Sequence, residues 1–204
     1  GPKFTADGRH VFFGSRDGWI TKYDLWNLAV VAEVRAGINT RNVAVSPDGR
    51  HVAVANYLPN SLVLLDGDLK LIKTIPALDQ QGKRSSRVSA VYDATPRNSF
   101  VVALKDVPEV WEISYDEKAE EIPVGLVHDF RMREGTFVPG YLNARRTLLQ
   151  DPLDDFFFTQ SYAELMGASR DGVGQVVNLD VRRKIADLPL DGMPHLGSGI
   201  TWQW

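Results

Sequence analysis

Two arginines and a histidine stand where the chain could bring charge or a proton to a ligand. Arg16 follows a strand-like run in Ser15-Arg16-Asp17-Gly18, and Arg41 follows Gly37-Ile38-Asn39-Thr40. A guanidinium is a planar fork that pairs bidentately with carboxylates, so these two suit an anionic ligand. His195 lies in His195-Leu196-Gly197-Ser198-Gly199, a glycine-rich loop that could aim an imidazole. An ordinary histidine pKa of about 6.5 suits it to proton transfer near neutrality. His10 and His51 both follow Asp-Gly-Arg and read as structural, while His128 borders an irregular stretch. Lys105 and Asp106 read as strand-end charges. Asp154 and Asp155, adjacent on a strand, should face opposite sides, which makes them weak candidates for shared acid–base work.

Other chemistries are excluded. The chain has no cysteine, which removes disulfides, thiolate metal sites, thiol nucleophiles and covalent c-type haem attachment. No G-x-S-x-G elbow or H-E-x-x-H pair occurs, and no metal site is expected. Gly172-Val173-Gly174 lacks the following Lys-Ser/Thr of a phosphate loop. A net charge of −3 argues against general nucleic-acid binding, which needs a basic excess. Apolar runs are far shorter than the ~20 residues of a membrane span. With 44% apolar and 24% charged residues, the composition is that of a globular protein.

The elements that must position these residues are set by a repeat. Phe4-Thr5-Ala6-Asp7-Gly8-Arg9-His10-Val11 recurs 41 residues later as Val45-Ser46-Pro47-Asp48-Gly49-Arg50-His51-Val52. Each copy continues with two short apolar runs separated by a polar turn, the second ending in Asp. The runs cover 10–14 and 19–24, then 51–55 and 61–66. Looser copies place strands over 89–92, 100–104 and 109–113, and over 155–158, 164–168, 175–179 and 184–188. Apolar runs of this length bounded by Gly, Asp, Asn and Pro are strands, and units of about four strands at this spacing are propeller blades. The fold is therefore expected to be all-β, a β-propeller of about four blades at 1–41, 42–86, 87–124 and 151–192, with an insertion over 125–150. Four blades seldom close alone, so the chain reads as part of a larger ring, cut from a longer protein.

Along most of its length the chain resembles the haem d1 propeller family, which includes the cytochrome cd1 nitrite reductases and haem d1 biogenesis proteins. The resemblance runs through Arg16-Asp17-Gly18, Asp24-Leu25-Trp26, Gly37–Arg41, Ala55-Asn56-Tyr57-Leu58-Pro59, Leu104–Trp111 and Met193–Gly199. It implies an eight-bladed ring, of which this is about half, with haem d1 at one end of the channel. It also implies that Lys3, Arg16 and Arg41 pair with the haem carboxylates. Tyr57 would donate its hydroxyl to a ring substituent, and His195 would lie on the distal face as the catalytic imidazole. The family's axial histidine would fall just before Gly1.

Departures from the reductase pattern choose among family members. Lys105-Asp106-Val107 stands where the reductases carry a distal histidine, and Ser198 where they carry an arginine. Losing one of two proton donors undermines conversion of nitrite to nitric oxide. The stretches Tyr57–Ser61, Pro152–Phe158 and Gly167–Arg170 look closest to the NirN-type biogenesis proteins. That resemblance implies oxidation of a dihydro-haem d1 propionate to acrylate, electrons passing to a c-type haem on a domain absent from this chain. It also implies a periplasmic location, with nitrite reductase or other haem d1 biogenesis proteins as partners. The competing expectations are a nitrite reductase d1 domain and a cofactor-free interaction propeller.

Overall fold

Runs of Val, Ile, Leu, Phe and Ala, punctuated by Asp-Gly turns, become antiparallel strands. The structure is a computed structural model describing residues 1–129, 132, 134–190 and 192. The first sheet is β1 (Lys3–Phe4), β2 (His10–Gly14), β3 (Trp19–Asp24) and β4 (Ala29–Arg35), paired in that order. The second repeats the plan with β5 (Asn39–Val45), β6 (His51–Leu58), β7 (Ser61–Asp66) and β8 (Leu71–Pro76). The third begins with β9 (Val88–Ala94), β10 (Ser99–Leu104) and β11 (Glu109–Ser114). The chain then leaves to form a two-stranded ribbon, β12 (Ile122–Asp129) with β13 (Glu134–Val138), and returns as the outer strand β14 (Ala144–Leu148). The fourth sheet is β15 (Asp155–Phe158), β16 (Glu164–Ala168), β17 (Gly174–Asn178) and β18 (Arg183–Leu188).

The third unit is divided differently from the sequence reading. Its outer strand lies within 125–150, and Ile122–Val124 belong to the ribbon rather than to the blade. An excursion between β11 and β14 breaks the period, so spacing alone could not locate the closing strand.

The repeated turn has a physical basis. Gly8 and Gly49 take φ of 68° and 70°, left-handed values that favour glycine. Asp7 and Asp48 accept the backbone N–H of Arg9 and Arg50, each at 3.0 Å, and the hydroxyls of Thr5 and Ser46 close the same loops. The two turns also touch, Ala6 N–H donating to the Pro47 carbonyl at 2.8 Å.

Strands apolar at every position are explained by burial on both faces. Val52 and Val54 of β6 pack toward the first sheet with Phe12 and Ile20, while Ala53 and Ala55 pack toward the third with Phe100 and Val102. Val101 and Ala103 of β10 turn the other way, joining Leu153, Phe156, Leu165 and Val177 at the fourth sheet. Because side chains alternate with period two, one continuous apolar strand serves two cores. Four-stranded antiparallel sheets stacked face to face in chain order are blades, and the fold is an all-β propeller architecture.

Candidate functional site

Antiparallel pairing gathers the starts of the inner strands and the ends of the second strands at one end of the sheets. Arg16 lies two residues beyond β2, Tyr57 near the end of β6, Lys105 just beyond β10 and Arg170 two residues beyond β16. Lys3 in β1, Arg41 in β5, Arg87 before β9 and Asp154 before β15 come to the same end from the inner strands. His10 and His51 open β2 and β6, so they lie at the opposite end. There His51 Nε2 meets the Tyr141 hydroxyl at 2.9 Å and its ring stacks on Tyr115, a structural role.

Local backbone features aim the two predicted arginines. Arg41 is the extra residue of a bulge in β5: Thr40 pairs with Asn56 and Asn42 with Ala55, which leaves Arg41 outside the ladder. A bulge re-aims the side chain it carries. The Arg16 carbonyl accepts the Thr40 N–H at 3.0 Å, tying the two arginine segments together. The Arg16 turn closes because Gly18, at φ 95°, lies so near the Gly37 carbonyl that a Cβ would come within 1.9 Å of its oxygen.

Tyr57 stands between cations. The Arg87 guanidinium lies 5.5 Å and the Lys105 ammonium 5.8 Å from its ring centroid, distances typical of cation–π contacts. Arg87 is fixed by Asp106, which accepts its backbone N–H and its Nε, each at 2.9 Å, and also its Nη2. Those bonds, above all the Arg87 side chain, hold the Asp106 carboxyl below its ordinary range. Lys105 meets Asp154 across the boundary between the third and fourth sheets. Burial, and then the Arg87, Arg170 and Arg41 guanidinium groups, push the Lys105 ammonium down from its usual pKa. Four cations are thus close enough to act on one another, an arrangement that favours an anionic ligand.

A second group lines the inner strands. The Tyr92 hydroxyl donates to Asp155 Oδ1 at 2.7 Å, and the Lys3 ammonium lies 5.5 Å from the Tyr92 ring centroid. Strands of the first, third and fourth sheets meet here. Burial lowers the Lys3 pKa, partly offset by Asp155, while burial and then Asp155 raise that of Tyr92.

The structure therefore brings Lys3, Arg16, Arg41 and Tyr57 to one end. His195 lies outside the described residues. Sequence reasoning missed Arg87, Arg170, Tyr92 and the pairing of Lys105 with Asp154. Part of the signal was present: the 41-residue offset maps Arg16 onto Tyr57, and the same blade position holds Lys105 and Arg170. Among the described residues no cluster of three or more His, Cys, Asp or Glu side chains could hold a metal ion, and no helix is long and apolar enough to cross a membrane.

Comparison with known proteins gives this arrangement its context. The chain is 54% identical over 205 residues to the dihydro-heme d1 dehydrogenase of Pseudomonas aeruginosa, covering 100% of this chain and 37% of that protein. It superposes on a solved structure of dihydro-heme d1 dehydrogenase NirN in complex with DHE with a TM-score of 0.84 and 54% identity, over 100% of this chain and 39% of that one. Protein NirF of Pseudomonas aeruginosa is 37% identical over 116 residues, 56% of this chain and 29% of that protein. The β-propeller domain of Myceliophteria thermophila Cps50 (Swd1) matches with a TM-score of 0.65 at 17% identity, covering 94% of this chain and 56% of that one, a likeness of fold alone. The chain thus spans about two fifths of the dehydrogenase it matches throughout. The model of the cytochrome D1 heme domain matches residues 1–204, and the chain belongs to that family.

Proposed function

We propose that this chain is the part of a dihydro-haem d1 dehydrogenase-type propeller that holds the tetrapyrrole substrate by its carboxylates. The observation that carries the reading is the convergence of Arg16, Arg41, Arg87, Lys105 and Arg170 at one end of the sheets, with Tyr57 among them. The donor set fits the ligand: several carboxylates on a rigid disc match several fixed cations, and guanidinium forks supply direction as well as charge. Whole-chain identity to a dehydrogenase of this type supports the same substrate class.

In this reading Arg16 and Arg41 anchor carboxylates from the first two blades, with Lys3 adding charge from the innermost strand. The Tyr57 hydroxyl donates to a ring substituent, and the Arg87 and Lys105 cations fix its ring. Conversion of a propionate to an acrylate removes a pair of electrons and two protons. When bound, the tetrapyrrole would supply an iron through which the two electrons would leave one at a time toward a c-type haem on a further domain, an external acceptor reoxidising that haem between transfers. One proton passes to His195 as general base, and the other to water. The whole protein is periplasmic, its ring has eight blades, and its partners are nitrite reductase or other haem d1 biogenesis proteins. The stretch Lys105-Asp106-Val107, without the distal histidine that the reductases carry in that region, disfavours the nitrite reductase reading.

The test is turnover. The full-length protein, given dihydro-haem d1 and an electron acceptor, should yield the acrylate product at one molecule per two electrons, followed by absorbance. Binding without oxidation would leave a carrier and overturn the dehydrogenase reading.

A further inference from the structure

The carboxylates at the basic end are held in two different ways. Asp106 is saturated by Arg87, through the backbone N–H and Nε at 2.9 Å and through Nη2. Asp155 accepts the Tyr92 hydroxyl at 2.7 Å and the Phe156 N–H at 2.9 Å. Asp24, at the far end of β3, has the same character, with the Trp26 and Asn27 N–H groups and the Arg9 guanidinium on its oxygens. Asp154 differs. Its buried Oδ1 meets the Lys105 ammonium and, among the described residues, no backbone N–H or other donor. Backbone donors make a carboxylate a fixed part of the fold, whereas a single flexible ammonium does not.

Lys105 is an unusual place to keep a positive charge. Its side chain is only 10% exposed, and Arg41, Arg87 and Arg170 all disfavour its charged form. Asp154 and Asp106 together do not balance Lys105, Arg41, Arg87 and Arg170, which leaves this corner cationic, so a further carboxylate from a ligand would be stabilised there. The Asp154 N–H donates to the Ala168 carbonyl at 2.8 Å, which places the aspartate beside the turn that carries Arg170.

We infer that Lys105 is a carboxylate subsite of the ligand pocket and that Asp154 is its resident counter-ion, displaced when a ligand carboxylate arrives. The inference rests on the tetrapyrrole reading and adds a selection rule to it. A ligand whose carboxylate reaches Lys105 replaces one ion pair with another, while a ligand lacking that group leaves the resident pair in place and gains nothing. Asp154 therefore weakens each ligand whose carboxylate must displace it and suppresses binding of anions too small to engage the other cations at once.

Two roles for Asp154 predict opposite signs. As a clamp between the third and fourth sheets, its loss would loosen the pocket and weaken binding. As a resident competitor, its loss would strengthen binding. The experiment titrates a tetracarboxylate porphyrin and its tetramethyl ester into the full-length protein, its Asp154→Asn and Lys105→Gln variants and the double variant, followed by fluorescence quenching. Asp154→Asn should tighten the tetracarboxylate by about tenfold, leave the ester unchanged, and lose the gain when combined with Lys105→Gln. Wild-type binding that Asp154→Asn leaves unchanged or weakens overturns this inference alone. Failure of the wild-type protein and every variant to bind the tetracarboxylate overturns the tetrapyrrole reading beneath it. Should the amide variant not fold, Asp154→Ser gives the same comparison.

Discussion

Replacing Glu109 by Gln removes a charge from inside the third sheet, and the structure allows the cost to be worked out. The carboxylate accepts Arg146 Nη1 at 2.6 Å and Trp111 Nε1 at 2.9 Å on one oxygen, and the Gln80 N–H at 2.7 Å on the other. Arg146 also lies over the Trp111 ring at 4.6 Å and donates to the Leu78 carbonyl at 2.9 Å. Its side chain is 27% exposed and that of Glu109 is 3% exposed, so most of the pair is out of water. Breaking a buried pair costs about 3–5 kcal/mol; the partial exposure of Arg146 and the acceptor that the amide retains place this variant near the lower bound. A loss of about 3 kcal/mol should lower the melting temperature of a chain this size by about 6–12 °C. Glu109→Met combined with Arg146→Met should cost less than the sum of the single changes, because neither charge is left buried alone. Differential scanning fluorimetry of the wild type, Glu109→Gln, the two single Met variants and the double Met variant measures this. A shift under about 2 °C for Glu109→Gln, or strict additivity of the Met changes, would refute the reasoning. The network also ties the segment through Gln80 to β11, so the same variant should weaken ligand binding by disturbing the path to Arg87.

Three further outcomes follow from the geometry. Gly18→Ala should destabilise the first blade and weaken ligand binding, because its Cβ would collide with the Gly37 carbonyl beneath Arg16; melting and titration of the same sample measure both. Tyr57→Phe should leave the melting temperature unchanged, since the ring keeps its two cations, yet weaken the ligand by losing a donor. Acid should unfold the protein across a defined window. Burial pushes the Asp48 carboxyl up, but the Ser46 hydroxyl and the Arg50 backbone and side chain outweigh it and bring the pKa down to about 2. A depressed carboxyl stabilises fully above its unfolded value of 3.8 and loses that contribution as pH falls toward about 2. Melting temperature against pH should therefore drop below about 4, and Asp48→Asn should flatten that drop.

Much of the fold was legible because it is written locally. Asp7-Gly8 and Asp48-Gly49 need only their own loop to form, and the apolar runs at 51–55 and 100–104 show their strands directly. Arg16, Arg41 and Tyr57 were singled out by their match to the haem d1 propeller family, and the strands that carry or precede them put all three at one end of the sheets. Pairings set by blade packing were hidden. Lys105 with Asp154 and Tyr92 with Asp155 join residues far apart in sequence, and only the stacking of the third sheet on the fourth makes them neighbours. The outer strand β14 was hidden by the ribbon inserted before it. Arg41 was chosen for its match to the family; the bulge that aims it depends on register with β6, which no single strand carries.

The basic end as the ligand site is tested most directly by absorbance titration of dihydro-haem d1 into the full-length protein, alongside its Arg16→Ala and Arg41→Ala variants. Each variant should bind about tenfold or more weakly, as expected when a charged hydrogen-bonding partner is removed, with melting temperatures held. Unchanged affinity in both variants would contradict the account.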